Sequence, residues 1–155
     1  MNSLDQLRSW LFSPKTQPQS KTVGLVLSGG AVRGAAHLGV LQVLDEAGIR
    51  PDLVVGVSAG SVAGGLYCAG LSPVELQKIA KEMHWNQLGR LIRPGLGLFD
   101  ISRMEGFIDD LTGGLTFEQL KIPFAAVAVD ILTDKLVVFR TGSLFFHDLQ
   151  IPVVG

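Results

Sequence analysis

The chain has 155 residues, 47% of them apolar, and a formal net charge of −1. That length and apolar share suit one domain around one core, and the charge balance gives no footing for a nucleic-acid-binding surface. Cys68 is the one cysteine, which excludes an intrachain disulfide and suits a reducing compartment.

The N-terminal stretch MNSLDQLRSWLFSPK carries an early aspartate and lacks a long apolar core, which argues against a secretory signal. Leu4, Leu7 and Leu11 stand near helical spacing with Trp10 beside them, and Pro14 and Pro18 then break the pattern. Residues 1–21 therefore read as a short amphipathic arm and a linker. The arm either meets a membrane surface or partner, or packs as a frayed end on its own domain. Residues 22–155 form the domain itself.

Residues 22–27, TVGLVL, form a continuous apolar run, as a strand of a parallel sheet would. The segment SGGAVRG follows, then AAHLGVLQVLDEAG with apolar residues at helical spacing and Gly48 as its C-terminal stop. LVVGV predicts a second strand and residues 58–69 a second helix. Strand–helix–strand–helix is the signature of a parallel α/β sheet. The span 53–74 is uncharged, but its glycines, serines and Pro73 divide it into strand, turn and helix, which argues against a membrane span.

Ser72, Pro73 and Glu75 then announce a helix through a capping box with proline in its first turn. NQLGRLIRPGLGLFD reads as a Gly/Pro-rich loop with Leu96, Leu98 and Phe99 near Arg90 and Arg93. A short helix is expected over 102–111, and FAAVAVDILTDKLVVFRTG predicts a strand hairpin.

Two turns carry the chemistry. Gly56-Val57-Ser58-Ala59-Gly60 fits G-x-S-x-G, the elbow that lifts a serine hydroxyl to the top of a sheet between a strand and a helix. The earlier turn, from Gly29 to Gly34, stands in the equivalent place after the first strand. Both fall at the C-terminal strand edge, where open α/β sheets bind ligands. Helix N-termini there present N–H donors to an anion. A serine facing such donors is what acyl transfer requires. A dinucleotide fingerprint fits poorly, because Ala31 replaces its second glycine and Gly56 and Ser58 stand where the acidic residue belongs. No Gly-Lys-Ser/Thr follows the turn, so a P-loop is excluded.

The stretch GLVLSGGAVRGAAHLGVLQVLDEAGIRPDLVVGVSAGSVAG resembles the patatin-like phospholipases, specifically the small bacterial type. The resemblance runs more loosely through FAAVAVDILTDKLVVFRTGSL. It implies a three-layer α/β sandwich with a mainly parallel central sheet, and a Ser-Asp dyad that hydrolyses lipid acyl esters. It implies Ser58 as nucleophile, Gly56 and Gly60 as the elbow glycines, and Gly29, Gly30, Ala31, Val32, Arg33 and Gly34 as the oxyanion loop. No cofactor or metal is implied. The dyad aspartate of that family lies in an Asp-Gly turn, and this sequence contains no Asp-Gly dipeptide. The domain is therefore read as lacking its C-terminal part.

Among the carboxylates present, Asp130 ends a predicted strand and is a weak candidate base, with a turn-capping role as its ordinary alternative. Asp148 falls in a segment with no clear place. His37 sits on an apolar helix face and reads more simply as packed than as a base. His84 and His147 show no metal-ligand spacing, and Cys68 reads as a buried small residue. Arg33 reads as an anchor paired with a carboxylate, or else as an anion contact. The expected activity is serine hydrolysis of a lipid ester or lysophospholipid in a cytoplasmic protein; Leu96, Leu98 and Phe99 beside Arg90 and Arg93 either cover the chain's own core or graze a membrane surface. The alternative is an inactive, lipid- or partner-binding remnant of the same fold.

Overall fold

A computed structural model describes residues 22–82, 90–93, 98–100, 102–130 and 133–144. Strand β1 (Gly24–Leu27) leads through a 3-10 turn (Ala31–Gly34) into α1 (Ala35–Glu46). Strand β2 (Leu53–Val57), α2 (Ala59–Ala69) and α3 (Pro73–Glu82) follow. A two-stranded antiparallel pair, β3 (Arg90–Arg93) and β4 (Leu98–Asp100), precedes α4 (Ser102–Thr112). Strands β5 (Phe124–Asp130) and β6 (Lys135–Phe139) close the described fold.

The main sheet has the order β1-β2-β5-β6. The first three strands are parallel, and β6 runs antiparallel to β5. This is the expected α/β architecture with a mainly parallel sheet. The register aligns Leu25, Val54 and Phe124 in one row and Leu27, Gly56, Ala126 and Phe139 in another. Side chains alternate between faces along each strand, so these two rows share a face. That face carries the core: Leu27, Val54 and Phe124 are buried together with Leu38, Leu41, Leu66, Cys68, Leu76 and Ile108 from the helices. Phe117 stacks on Phe124 with ring centroids 5.7 Å apart.

The opposite face holds Val26, Val57, Val127, Val138, Val129 and Leu136 by the same register. Among these, Val26 is 73% and Leu136 67% exposed. The continuous apolar runs predicted strands apolar on both faces, and they are; only one of the faces is buried among the described residues.

The helices end as the sequence leads one to expect. Gly48 takes φ 69° and Gly70 φ 110°, the left-handed turns that stop α1 and α2. Glu75 accepts from the Ser72 amide at 2.8 Å and its hydroxyl at 2.7 Å, and the Glu75 amide donates to Ser72 Oγ at 3.3 Å. This is the predicted capping box, and the hydrogen bonds from Ser72 hold the Glu75 carboxyl below its ordinary pKa. The loop expected over 86–100 is different: it contains the β3–β4 pair, with a register irregularity between Leu91 and Arg93. In the sequence, Pro94 and Gly95 stand between two short runs with strand character, and the glycine content of the whole stretch concealed them. Leu96 lies outside the described residues, as do the arm of residues 1–21, His84, His147 and Asp148.

Candidate active site

Strand β2 ends at Val57 and α2 begins at Ala59. Ser58, between them, takes φ 51° and ψ −121°. A non-glycine residue seldom adopts such a backbone, which costs on the order of 1–3 kcal/mol and persists only where the surroundings impose it. Here they do. A Cβ on Gly60 would run into the carbonyl of Leu27, and one on Gly56 would lie 2.6 Å from the Gly60 carbonyl oxygen. Missing side chains thus let α2 start directly on the ends of β1 and β2, and the reversal of the chain falls on the serine. The Ser58 carbonyl accepts from the Ser61 amide at 2.8 Å and opens the helix. Its side chain makes no capping bond, and the residue is exposed. The hydroxyl is therefore left at the mouth of the turn, beside the N-terminal end of α2 and its N–H groups.

The first turn lies alongside. A Cβ placed on Gly29 would come within 3.3 Å of Ser58 Cβ. The chain runs from there through Gly30 into the 3-10 turn, whose first residue, Ala31, has φ 48°. The Arg33 amide donates to the Gly30 carbonyl at 3.0 Å and closes that turn. Gly34 is buried, while Gly29, Gly30, Ala31, Val32 and Arg33 are exposed. The two motifs singled out in the sequence are thus brought together at one sheet edge, each at a strand-to-helix junction.

Asp130 ends β5 at the same edge, three positions past Val127, which is the register partner of Val57. Its carboxylate accepts from Thr133 Oγ1 at 2.7 Å. That bond serves the β5–β6 turn, the ordinary role weighed for this residue. Among the described residues none hydrogen-bonds the Ser58 hydroxyl, and the carboxylate partner expected for Arg33 is not found either. Cys68 is fully buried and burial pushes its thiol up to about 12, so it is an inert packing residue at neutral pH. No group of three or more metal-ligating side chains occurs among the described residues. No helix there is long and apolar enough to cross a membrane.

One feature was not visible in the sequence. His37, the third residue of α1, places Nε2 2.8 Å from the carbonyl oxygen of Ser28. The sequence carried no signal for it, because a side-chain bond to a backbone carbonyl leaves no residue pattern.

The family profile of patatin-like phospholipases matches residues 25–152. The chain belongs to the patatin-like phospholipase family. Within reach of this family, it is 39% identical over 128 residues to an uncharacterised NTE family protein of Mycobacterium tuberculosis, covering 81% of this chain and 35% of that one. It is 35% identical over 132 residues to the neuropathy target esterase sws of Drosophila melanogaster, covering 80% of this chain and 9% of the fly protein. Among solved structures, the type III effector protein ExoU aligns with a TM-score of 0.52 at 16% identity, over 78% of this chain and 36% of that one. That likeness concerns the fold alone, and it is a patatin-like fold. The chain spans about a third of the length of the mycobacterial relative.

Proposed function

We propose that this chain carries the nucleophile and oxyanion-binding half of a serine acyl hydrolase acting on lipid esters. The observation that supports the reading most strongly is the backbone of Ser58, turned to φ 51° between β2 and α2 with Gly29 packed beside it. In this reading Ser58 Oγ attacks the ester carbonyl carbon and its proton passes to a general base. The carbonyl oxygen becomes an oxyanion facing the N–H groups of residues 29–34 and the start of α2. Collapse of the tetrahedral species expels the alcohol, which takes the proton, and water then releases the acyl group from the serine. The strained serine and the fixed amides are what such a step needs in advance, since an oxyanion is stabilised most by donors that need not reorganise. Asp130 stands at the same sheet edge, but its bond to Thr133 engages it in the turn, and we assign the base to no described residue. The family resemblance supports a glycerophospholipid or lysophospholipid as the substrate class.

A fluorophosphonate probe, read by intact mass, tests the reading. Wild-type protein should take up one adduct, and Ser58→Ala none. Hydrolysis of a short-chain p-nitrophenyl ester should fall by at least about a thousandfold in the same variant. Equal labelling of the two proteins would overturn the assignment of Ser58. Absence of labelling in both would favour the second reading, a lipid-binding remnant without turnover, which the unpartnered Ser58 hydroxyl among the described residues also favours.

A further inference from the structure

We infer that His37 is a positioning residue that fixes the Ser28–Gly29 peptide, and with it the glycine-rich turn beside Ser58, by holding the Ser28 carbonyl. The inference rests on the hydrolase reading above, since that reading gives the Gly29 turn its oxyanion. A carbonyl oxygen only accepts, so the 2.8 Å contact to Ser28 requires the proton on His37 Nε2. The bond joins the exit of β1 to the first turn of α1 and spans the whole glycine-rich segment between them. The carbonyl of Ser28 and the N–H of Gly29 belong to one planar trans peptide and point in opposite directions. Holding that oxygen toward α1 therefore sets the direction of the Gly29 N–H, away from His37.

Two further contacts show that this peptide is located at the site. A Cβ on Gly60 would lie 2.7 Å from the Ser28 oxygen, so that carbonyl rests on the first turn of α2. Gly29 itself lies against Ser58. The peptide between Ser28 and Gly29 is thus bracketed by α1 and α2, and the imidazole supplies the one side-chain bond that the structure shows to it. Glycines at 29 and 30 give the segment little conformational restraint of its own. A tether from outside the segment replaces the restraint its own side chains lack. His37 is half-buried, so the bond is sheltered from water in part.

His37→Leu removes the donor, and His37→Gln keeps an N–H at similar reach. Two measurements on each variant test the inference. The first is the saturation kinetics of fluorophosphonate labelling at Ser58. His37→Leu should lower the limiting rate about tenfold, with the half-saturating probe concentration and the thermal midpoint little changed, and His37→Gln should stay within about threefold of wild type. The second is amide hydrogen exchange over residues 28–34, which is readable whether or not Ser58 reacts. Exchange should quicken in His37→Leu and stay near wild type in His37→Gln. Labelling and exchange unchanged in His37→Leu would overturn the inference while leaving the hydrolase reading intact. So would equal losses in both variants accompanied by a lowered thermal midpoint, which would mark a packing role. Unlabelled wild-type protein with quickened exchange confined to His37→Leu would sink the hydrolase reading and leave the tether standing.

Discussion

The two faces of the main sheet are built from the same kind of residue and meet different fates. Leu27, Val54 and Phe124 lie under α2 and are sealed. Val26, Val129 and Leu136 point the other way and remain largely exposed. Nothing in local composition separates the two sets: both are apolar and both come from strands of the one main sheet. The difference comes from α2, whose small residues let it settle onto one face, with Gly64 lying against Phe124, Val54 and Leu27. Burial here is set by close approach of backbone, and apolar character alone does not earn it. Ser58 sits at the edge where the sealed face meets the sheet's end, so its strained conformation depends on the sealed face.

Three experiments test that contrast, in falling order of effect. Cys68 lies on α2 within the sealed layer with its thiol raised to about 12. It should resist iodoacetamide at neutral pH by at least about a thousandfold relative to the unfolded chain. Ready alkylation of the native protein would mean that α2 lifts from the sheet. Gly60→Ala comes next, because the new methyl meets the backbone oxygens of Leu27 and Ser28, which cannot rotate away. A loss of about 3 kcal/mol in denaturant unfolding is expected, together with loss of Ser58 labelling. A stability near wild type would show that the junction is looser than described. The smallest effects come from one replacement made on both faces. Val54→Thr buries a hydroxyl in the sealed layer and should cost about 2 kcal/mol, whereas Val26→Thr on the exposed face should stay within about 0.5 kcal/mol. Equal costs would mean that both faces are covered in solution.

Much of this was legible from residues alone. The apolar runs around Val26, Val55 and Val127 announced parallel strands, and the G-x-S-x-G spacing announced a turn that only small residues permit. Ser72 and Glu75 announced α3 by a mechanism that operates locally. What escaped was non-local. A continuous apolar strand shows that both faces are greasy, but it does not show which one a helix will reach. The β3–β4 pair hid in a stretch whose glycines and proline resemble a loop, since pairing across a turn depends on register more than on composition. The tether from His37 depends on where β1 delivers the Ser28 carbonyl, which no spacing rule encodes. The bond from Thr133 to Asp130 likewise depends on a contact that only the folded hairpin creates.

The pairing of β2 with β5 also has a consequence in time. Val54 stands opposite Phe124, and the Val54 amide donates to the Pro123 carbonyl at 3.0 Å. Strand β2 therefore completes its hydrogen bonding only with a segment made some seventy residues later, while β5 and β6 join as an immediate neighbour pair. Contacts of such separation are entropically slow to close. During synthesis the strand that ends in Ser58 waits, with one edge unmatched, for its partner to leave the ribosome. The serine and the glycines that bend it emerge early, whereas the second strand neighbour of β2 arrives late, so the sheet edge that carries Ser58 is completed only in the finished fold.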